Sequence, residues 1–227
     1  NASYLDDFES TKSSIDVMTP TSWFLSSVPS MFPENKDKTG LTSGFNRSQM
    51  AWYTIDPLFN RKGSTLTPGH IKSDLNQLSN HYVRAIYMRE LFPLRQQQTY
   101  STETSTVNAM NIAFYPNERG PYNFNVADLQ ADGTLANPQK HWGGMMRKLD
   151  TNDFEQANVE YIEFWMLDPF IYSNQQPDAR LYGGDFYINL GEISEDILRD
   201  GKKFYESGMP VDGSSSFTYS QWGKIPT

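Results

Sequence analysis

Two glutamates, Glu160 and Glu163, interrupt an otherwise apolar run, NVEYIEFWMLDPF at 158–170. Paired carboxylates are the apparatus of glycoside hydrolysis, set about 5–9 Å apart across the scissile bond. Asp6, Asp7 and Glu9 offer the same residue types near the start of the chain. Spacing argues against the first pair. The aromatic content and the Asp168-Pro169 stop predict a strand over 158–167, and residues three apart in a strand point to opposite faces. With 27 acids in 227 residues, small clusters arise by chance. No spacing fixes a pair, so the sequence carries no catalytic assignment.

Other chemistries leave fainter traces. The three histidines, His70, His81 and His141, form no His-Glu-x-x-His pair, so they read as surface or hydrogen-bonded residues. There is no Gly-x-Ser-x-Gly elbow, no Walker loop and no Gly-x-Gly-x-x-Gly turn. DLQADGTLANPQ (128–139) has Asp128, Asp132 and Gly133 in places that resemble a calcium loop. Gln139, however, stands where a bidentate glutamate is required, and Gln130 replaces the usual Asp or Asn. Asp132-Gly133 is a tight-turn dipeptide, and a hairpin turn accounts for it without an ion.

The totals narrow the partner class. A net charge of -8 and the absence of any basic cluster argue against a phosphate backbone, so nucleic acid is excluded as a partner. Without cysteine, no disulfide or thiolate metal site can form. No apolar run is long enough to cross a bilayer as a helix. The opening NASYLDDFES reads as a cut inside a longer protein, with residues 1–3 an expression scar or edge.

The elements that must position any site are mostly strands. Residues 4–30 read as short extended pieces, MAWYTIDPLF (50–59) as a strand, and NAMNIAFYP (108–116) as a strand closed by Pro116. GDFYINLGEI (184–193) alternates in the same way. One helical signal stands out, because Ile71, Leu75, Leu78, Tyr82 and Ile86 recur at spacings of three and four. That is the stripe of a helix with one buried face, started by Thr67-Pro68. Gly143-Gly144 marks a bulge or a close backbone approach. The expected organisation is a single β-sandwich domain over 4–227 with a helical insertion at about 67–90. Within it, Val159, Tyr161, Glu163, Trp165 and Leu167 share one face of the 158–167 strand, and Glu160, Ile162, Phe164 and Met166 share the other. Both faces are mainly apolar, which predicts a ribbon covered on both sides.

Five stretches together resemble one family. YLDDFESTKSSIDVMTPTSWFLSS, LSNHYVRAIYMRELFP, AFYPNERGPYNFN, HWGGMMRKLDTNDFEQANVEYIEFWMLDPF and GGDFYINLGEISEDILRDGKKFYESGMP are similar to the very large SprA/Sov proteins of gliding motility and type IX secretion. The similarity runs from about Tyr4 to Pro226 and is weakest at 30–48 and 95–106. It implies an extramembrane domain of an outer-membrane secretion translocon in the cell envelope. Such a domain would be noncatalytic and would dock, cap or gate, with other secretion or motility proteins or exported cargo as its partners.

A second resemblance concerns shape. Asp6-Asp7-Phe8-Glu9, then Trp142-Gly143-Gly144 ahead of Ile162-x-Phe164-Trp165, looks like the galactose-binding type of jelly roll. That group includes many carbohydrate-binding modules. It implies a mainly-β, jelly-roll-like sandwich, and a structural calcium near the first strand that would draw on Asp7 or Glu9. No other cofactor is implied. The alternative function is therefore carbohydrate binding, with Tyr161, Trp165, Trp142 or Trp52 as stacking platforms. A carboxylate glycosidase is the third and least supported reading.

Overall fold

The computed structural model describes residues 14–36, 41–56, 61–94, 106–151, 153–157, 159–172, 184–198, 217–221 and 223–226. These make a mainly-β fold of short strand pairs with few and short helices. The strands are β1 (Phe24–Leu25), β2 (Ser48–Tyr53), β3 (Ile86–Tyr87), β4 (Thr106–Val107), β5 (Asn111–Arg119), β6 (Met145–Met146), β7 (Phe217–Ser220) and β8 (Gly223–Pro226). The helices are α1 (Gly69–Lys72), α2 (Leu75–Ser79) and α3 (Met88–Leu91). Among the described residues the strands pair two by two, as β1 with β6, β2 with β5, β3 with β4 and β7 with β8. The first, third and fourth pairs are antiparallel, with registers Phe24↔Met146, Ile86↔Val107 and Thr218↔Ile225.

The chain divides into two compact units. One comprises Asn1–Val17, Trp23–Gln49 and Pro116–Thr227; the other comprises Met18–Ser22 and Met50–Tyr115. The first holds every described buried apolar residue: Val28, Phe124, Leu135, Trp142 and Leu198. Its buried polar residues outnumber these, and include Ser26, Ser27, Ser43, Arg47, Ser48, Asn123 and Asn125. Hydrogen bonds hold many of these polar groups in place. Asn123 shows how: its Nδ2 donates to the Arg47 carbonyl at 2.7 Å, while its Oδ1 accepts from the Asn125 amide at 3.0 Å.

Two local features, one turn and one close approach, form as their residues dictate. Leu129 and Leu135 bridge antiparallel around Asp132-Gly133, with Gly133 at φ 86°, in the left-handed region that favours glycine. Asp132 Oδ1 accepts from the Thr134 amide (3.0 Å) and hydroxyl (2.7 Å), bonds that hold its carboxyl below the usual range. Asp128 accepts from Asn125 Nδ2 at 2.6 Å. Both acids of the calcium-like stretch are thus engaged by the turn itself. At Gly144 the backbone passes so close to Ser26 that a Cβ would collide with the Ser26 hydroxyl, and the Gly144 carbonyl accepts from the Ser26 amide at 3.1 Å.

Three expectations need correction. The 67–90 insertion is not one helix with a buried face. α1 and α2 are separated at Ser73-Asp74, and Leu75 on the expected buried stripe is 68% exposed. The cause is local. Asp74 leaves the helical region (φ −109°, ψ 106°) and its Oδ1 accepts from the Asn76 and Gln77 amides, so it caps a new helix rather than continuing the old one. Asn80 ends α2 in turn, with extended backbone and its Oδ1 on the Tyr82 amide. Asp74→Ala is expected to cost about 1 kcal/mol of local α2 stability. The readout is faster amide exchange at Leu78 and Ser79, with Asp74→Asn close to the parent.

β5 does not stop at Pro116 but continues to Arg119. In a two-stranded sheet many amides face away from the partner, so a proline at such a position removes no ladder bond. The third correction is the largest. Residues 159–168 are not a strand covered on both sides. Among the described residues they join no sheet, and residues 160–170 are exposed throughout. Expectations resting on residues 4–13 lie outside the described residues.

Candidate functional site

Two segments, 159–172 and 184–198, carry much exposed apolar surface, the first of them where the sequence predicts a ribbon covered on both sides. Trp165 is 69% exposed, Tyr161 76% and Phe186 72%. Ile162, Phe164, Met166, Leu167, Ile188 and Leu190 are exposed as well. The two segments touch where the rings of Phe164 and Phe186 approach, with centroids 6.2 Å apart. Neither segment joins a sheet among the described residues, so both alternating sets of side chains face outward.

Local hydrogen bonds shape this surface. Asp168 Oδ1 accepts from the Phe170 amide at 2.8 Å, fixing the turn at Asp168-Pro169. The Tyr187 hydroxyl donates to Asp185 at 3.2 Å, and the carboxylate pushes the phenol's pKa upward. Glu160 and Glu163 are both exposed.

A chain of aromatic contacts links the exposed surface to the core of the same unit. Tyr187 packs edge-on against Phe32 with centroids 5.7 Å apart, and Phe32 packs edge-on against Trp142 at 5.5 Å. Trp142 lies beneath the Arg47 guanidinium, 4.4 Å from the ring centroid. Trp142 is therefore a core residue, only 8% exposed, and its ring is not offered to an outside ligand. Its backbone is tied to the residues on either side of Arg47: Trp142 N donates to the Asn46 carbonyl and Trp142 O accepts from Ser48 N.

Arg47 is the residue that sequence reasoning missed. It is 0% exposed, and its Nη2 donates to the Ile197 carbonyl at 3.5 Å. Nε and Nη1 have no hydrogen-bond partner among the described residues. Burial lowers its pKa to about 10, so the guanidinium remains charged at neutral pH. The face of Trp142 gives the guanidinium a cation–π contact, and Tyr122 favours its charged form electrostatically. Nothing in GFNRSQMAW distinguishes such an arginine from a surface one, because its neighbours come from distant parts of the chain.

The remaining candidates are scattered. Trp52 is half-buried, with its Nε1 donating to the Pro20 carbonyl at 3.1 Å. His141 Nδ1 lies 2.7 Å from the Pro116 carbonyl, His70 is exposed on α1, and His81 is half-buried. No group of three metal-ligating side chains converges among the described residues. Asp7 and Glu9, on which a structural calcium would draw, lie outside the described residues. Of the proposed platforms, the structure places Tyr161 and Trp165 together on the exposed surface and puts Trp142 beneath it. Compared with known families and with curated proteins, the chain matches no family model and no curated relative.

Proposed function

We propose that this chain is a noncatalytic, extramembrane domain of a type IX secretion or gliding-motility translocon of the SprA/Sov kind, working in the cell envelope by docking, capping or gating. On this reading its short strand pairs belong to a jelly-roll-like β-sandwich of the galactose-binding type. The observation that carries the docking role is the exposed apolar surface of 161–171 and 186–193. A contiguous apolar surface of this kind is costly to leave in water and marks a place where another molecule sits. The five stretches similar to SprA/Sov supply the setting. No described helix is long and apolar enough to cross a membrane.

Deleting residues 4–226 from the whole translocon tests the reading. The expected result is loss of translocon assembly or of secretion; normal assembly and normal secretion would overturn it.

Carbohydrate binding is the second reading, favoured specifically by the exposure of Tyr161 and Trp165. Flat rings open to solvent are what sugar stacking needs. Binding on a glycan array that disappears with Trp165→Ala would favour it over docking.

A further inference from the structure

Among the described residues, the two segments of the docking surface are as one-sided in charge as they are apolar. Residues 159–172 hold three carboxylates, Glu160, Glu163 and Asp168, and residues 184–198 hold four more. Neither segment contains a lysine or an arginine. These acids lie among Tyr161, Phe164, Trp165, Phe186 and Ile188, all exposed.

Each possible occupant meets this combination differently. A second copy of the chain joined through the same face would set acid against acid, because a two-fold interface brings a patch onto itself. An anionic lipid surface meets the same repulsion. A sugar is indifferent to charge, but stacking on one or two rings would leave Ile162, Met166, Ile188 and Leu190 uncovered. A polypeptide with apolar side chains and flanking lysine or arginine satisfies both features. It buries the aliphatic and aromatic surface, places cations beside the carboxylates, and can set a cation over Tyr161 or Trp165.

We infer that the surface formed by 159–172 and 184–198 receives a basic, apolar polypeptide segment. The inference rests on the docking reading and specifies the partner's chemistry.

The test uses the full 227-residue chain and a fluorescein-labelled peptide in which Phe and Val alternate with Lys, read by anisotropy. Two analogues carry Glu in place of Lys, or Ser in place of Phe and Val. Binding of the Lys peptide is expected to exceed that of either analogue by about tenfold or more, and to weaken with salt. The triple variant Glu160→Lys, Glu163→Lys, Asp185→Lys is expected to lose about tenfold for the Lys peptide while keeping the parent's unfolding transition, since all three side chains are exposed. The analogues probe charge and apolarity on the parent chain, so the outcome does not depend on the variant folding. Equal binding of the Lys and Glu peptides, or no binding, overturns the inference. Two further results do the same: dimerisation abolished by Phe186→Ser, or preferential binding to phosphatidylserine-containing vesicles. If the peptide fails while deletion of 4–226 still blocks secretion, the basic partner is wrong and the docking role stands. If deletion is harmless, the docking role itself falls.

Discussion

Trp142→Ala is expected to lower the unfolding free energy by about 3–5 kcal/mol, whereas Trp165→Ala is expected to change it by less than about 0.5 kcal/mol. The two tryptophans share a residue type and differ only in where the fold puts them. Trp142 is buried, with Phe32 against its edge and Arg47 over its face. Removing the indole leaves a cavity and takes the cation–π contact from a buried guanidinium. Since whole domains are stable by only about 5–15 kcal/mol, such a loss would bring the chain near unfolding at ambient temperature. Trp165 has most of its surface in water already, so its removal forfeits little burial. Urea denaturation of both variants measures the contrast. A double-mutant cycle with Arg47→Met isolates the stacked pair and is expected to show a coupling of about 0.5–3 kcal/mol. Equal losses for the two tryptophans would mean that the exposed surface is structural packing and would remove the main support for docking.

What the sequence revealed, and what it hid, follows from the range of the interactions involved. Asp132-Gly133 was legible as a turn because the determinants, a positive φ at Gly133 and the Asp132–Thr134 hydrogen bonds, span three residues. Gly144 was legible as a close approach, although its neighbour Ser26 was not. The helical stripe at Ile71, Leu75 and Leu78 was a real periodicity. What broke it were Ser73, Asp74 and Asn80, polar residues whose side chains compete for backbone amides, and that local signal was weaker to read than the apolar repeat. Arg47 had no local signal at all: the groups around it, Asn123 and Ile197, lie 76 and 150 residues away.

The stretch from Val159 to Leu167 teaches a different lesson. A segment apolar on both alternating faces says that something covers it, but not whether the cover belongs to the same chain. Reading it as an internal ribbon assumed that it did. The exposed rings of Tyr161 and Trp165 reverse that assumption and make the same composition an argument for a partner. Glu160 and Glu163, an anomaly inside a buried strand, become ordinary solvent-exposed charges once the segment is outside.

The second large effect is expected at Gly120, where alanine should cost about 3 kcal/mol or more. No unusual backbone angle is involved; the limit is space. A Cβ at this position would overlap the Ser48 carbonyl oxygen, lie 2.6 Å from the Ser48 carbonyl carbon and 3.1 Å from the Gln49 nitrogen. These are backbone atoms, so no side-chain rotation relieves the overlap. Retreat is blocked as well. Gly120 N donates to the Arg47 carbonyl at 3.2 Å, its own carbonyl accepts from Asn123 N at 3.2 Å, and Ser48 Oγ donates to the Pro116 carbonyl at 3.0 Å. Moving the chain outward would stretch the bonds that satisfy the Arg47 and Gly120 backbone inside a polar core, where an unpaired group costs about 1–3 kcal/mol. Gly184→Ala is the matched control, since its Cβ would meet nothing within 4 Å, and it is expected to stay within about 0.5 kcal/mol of the parent. Denaturation midpoints for the two variants measure the difference. A Gly120→Ala chain as stable as Gly184→Ala would show that Ser48 and Gly120 are not packed backbone to backbone, and the placement of Arg47 over Trp142 would lose its anchor.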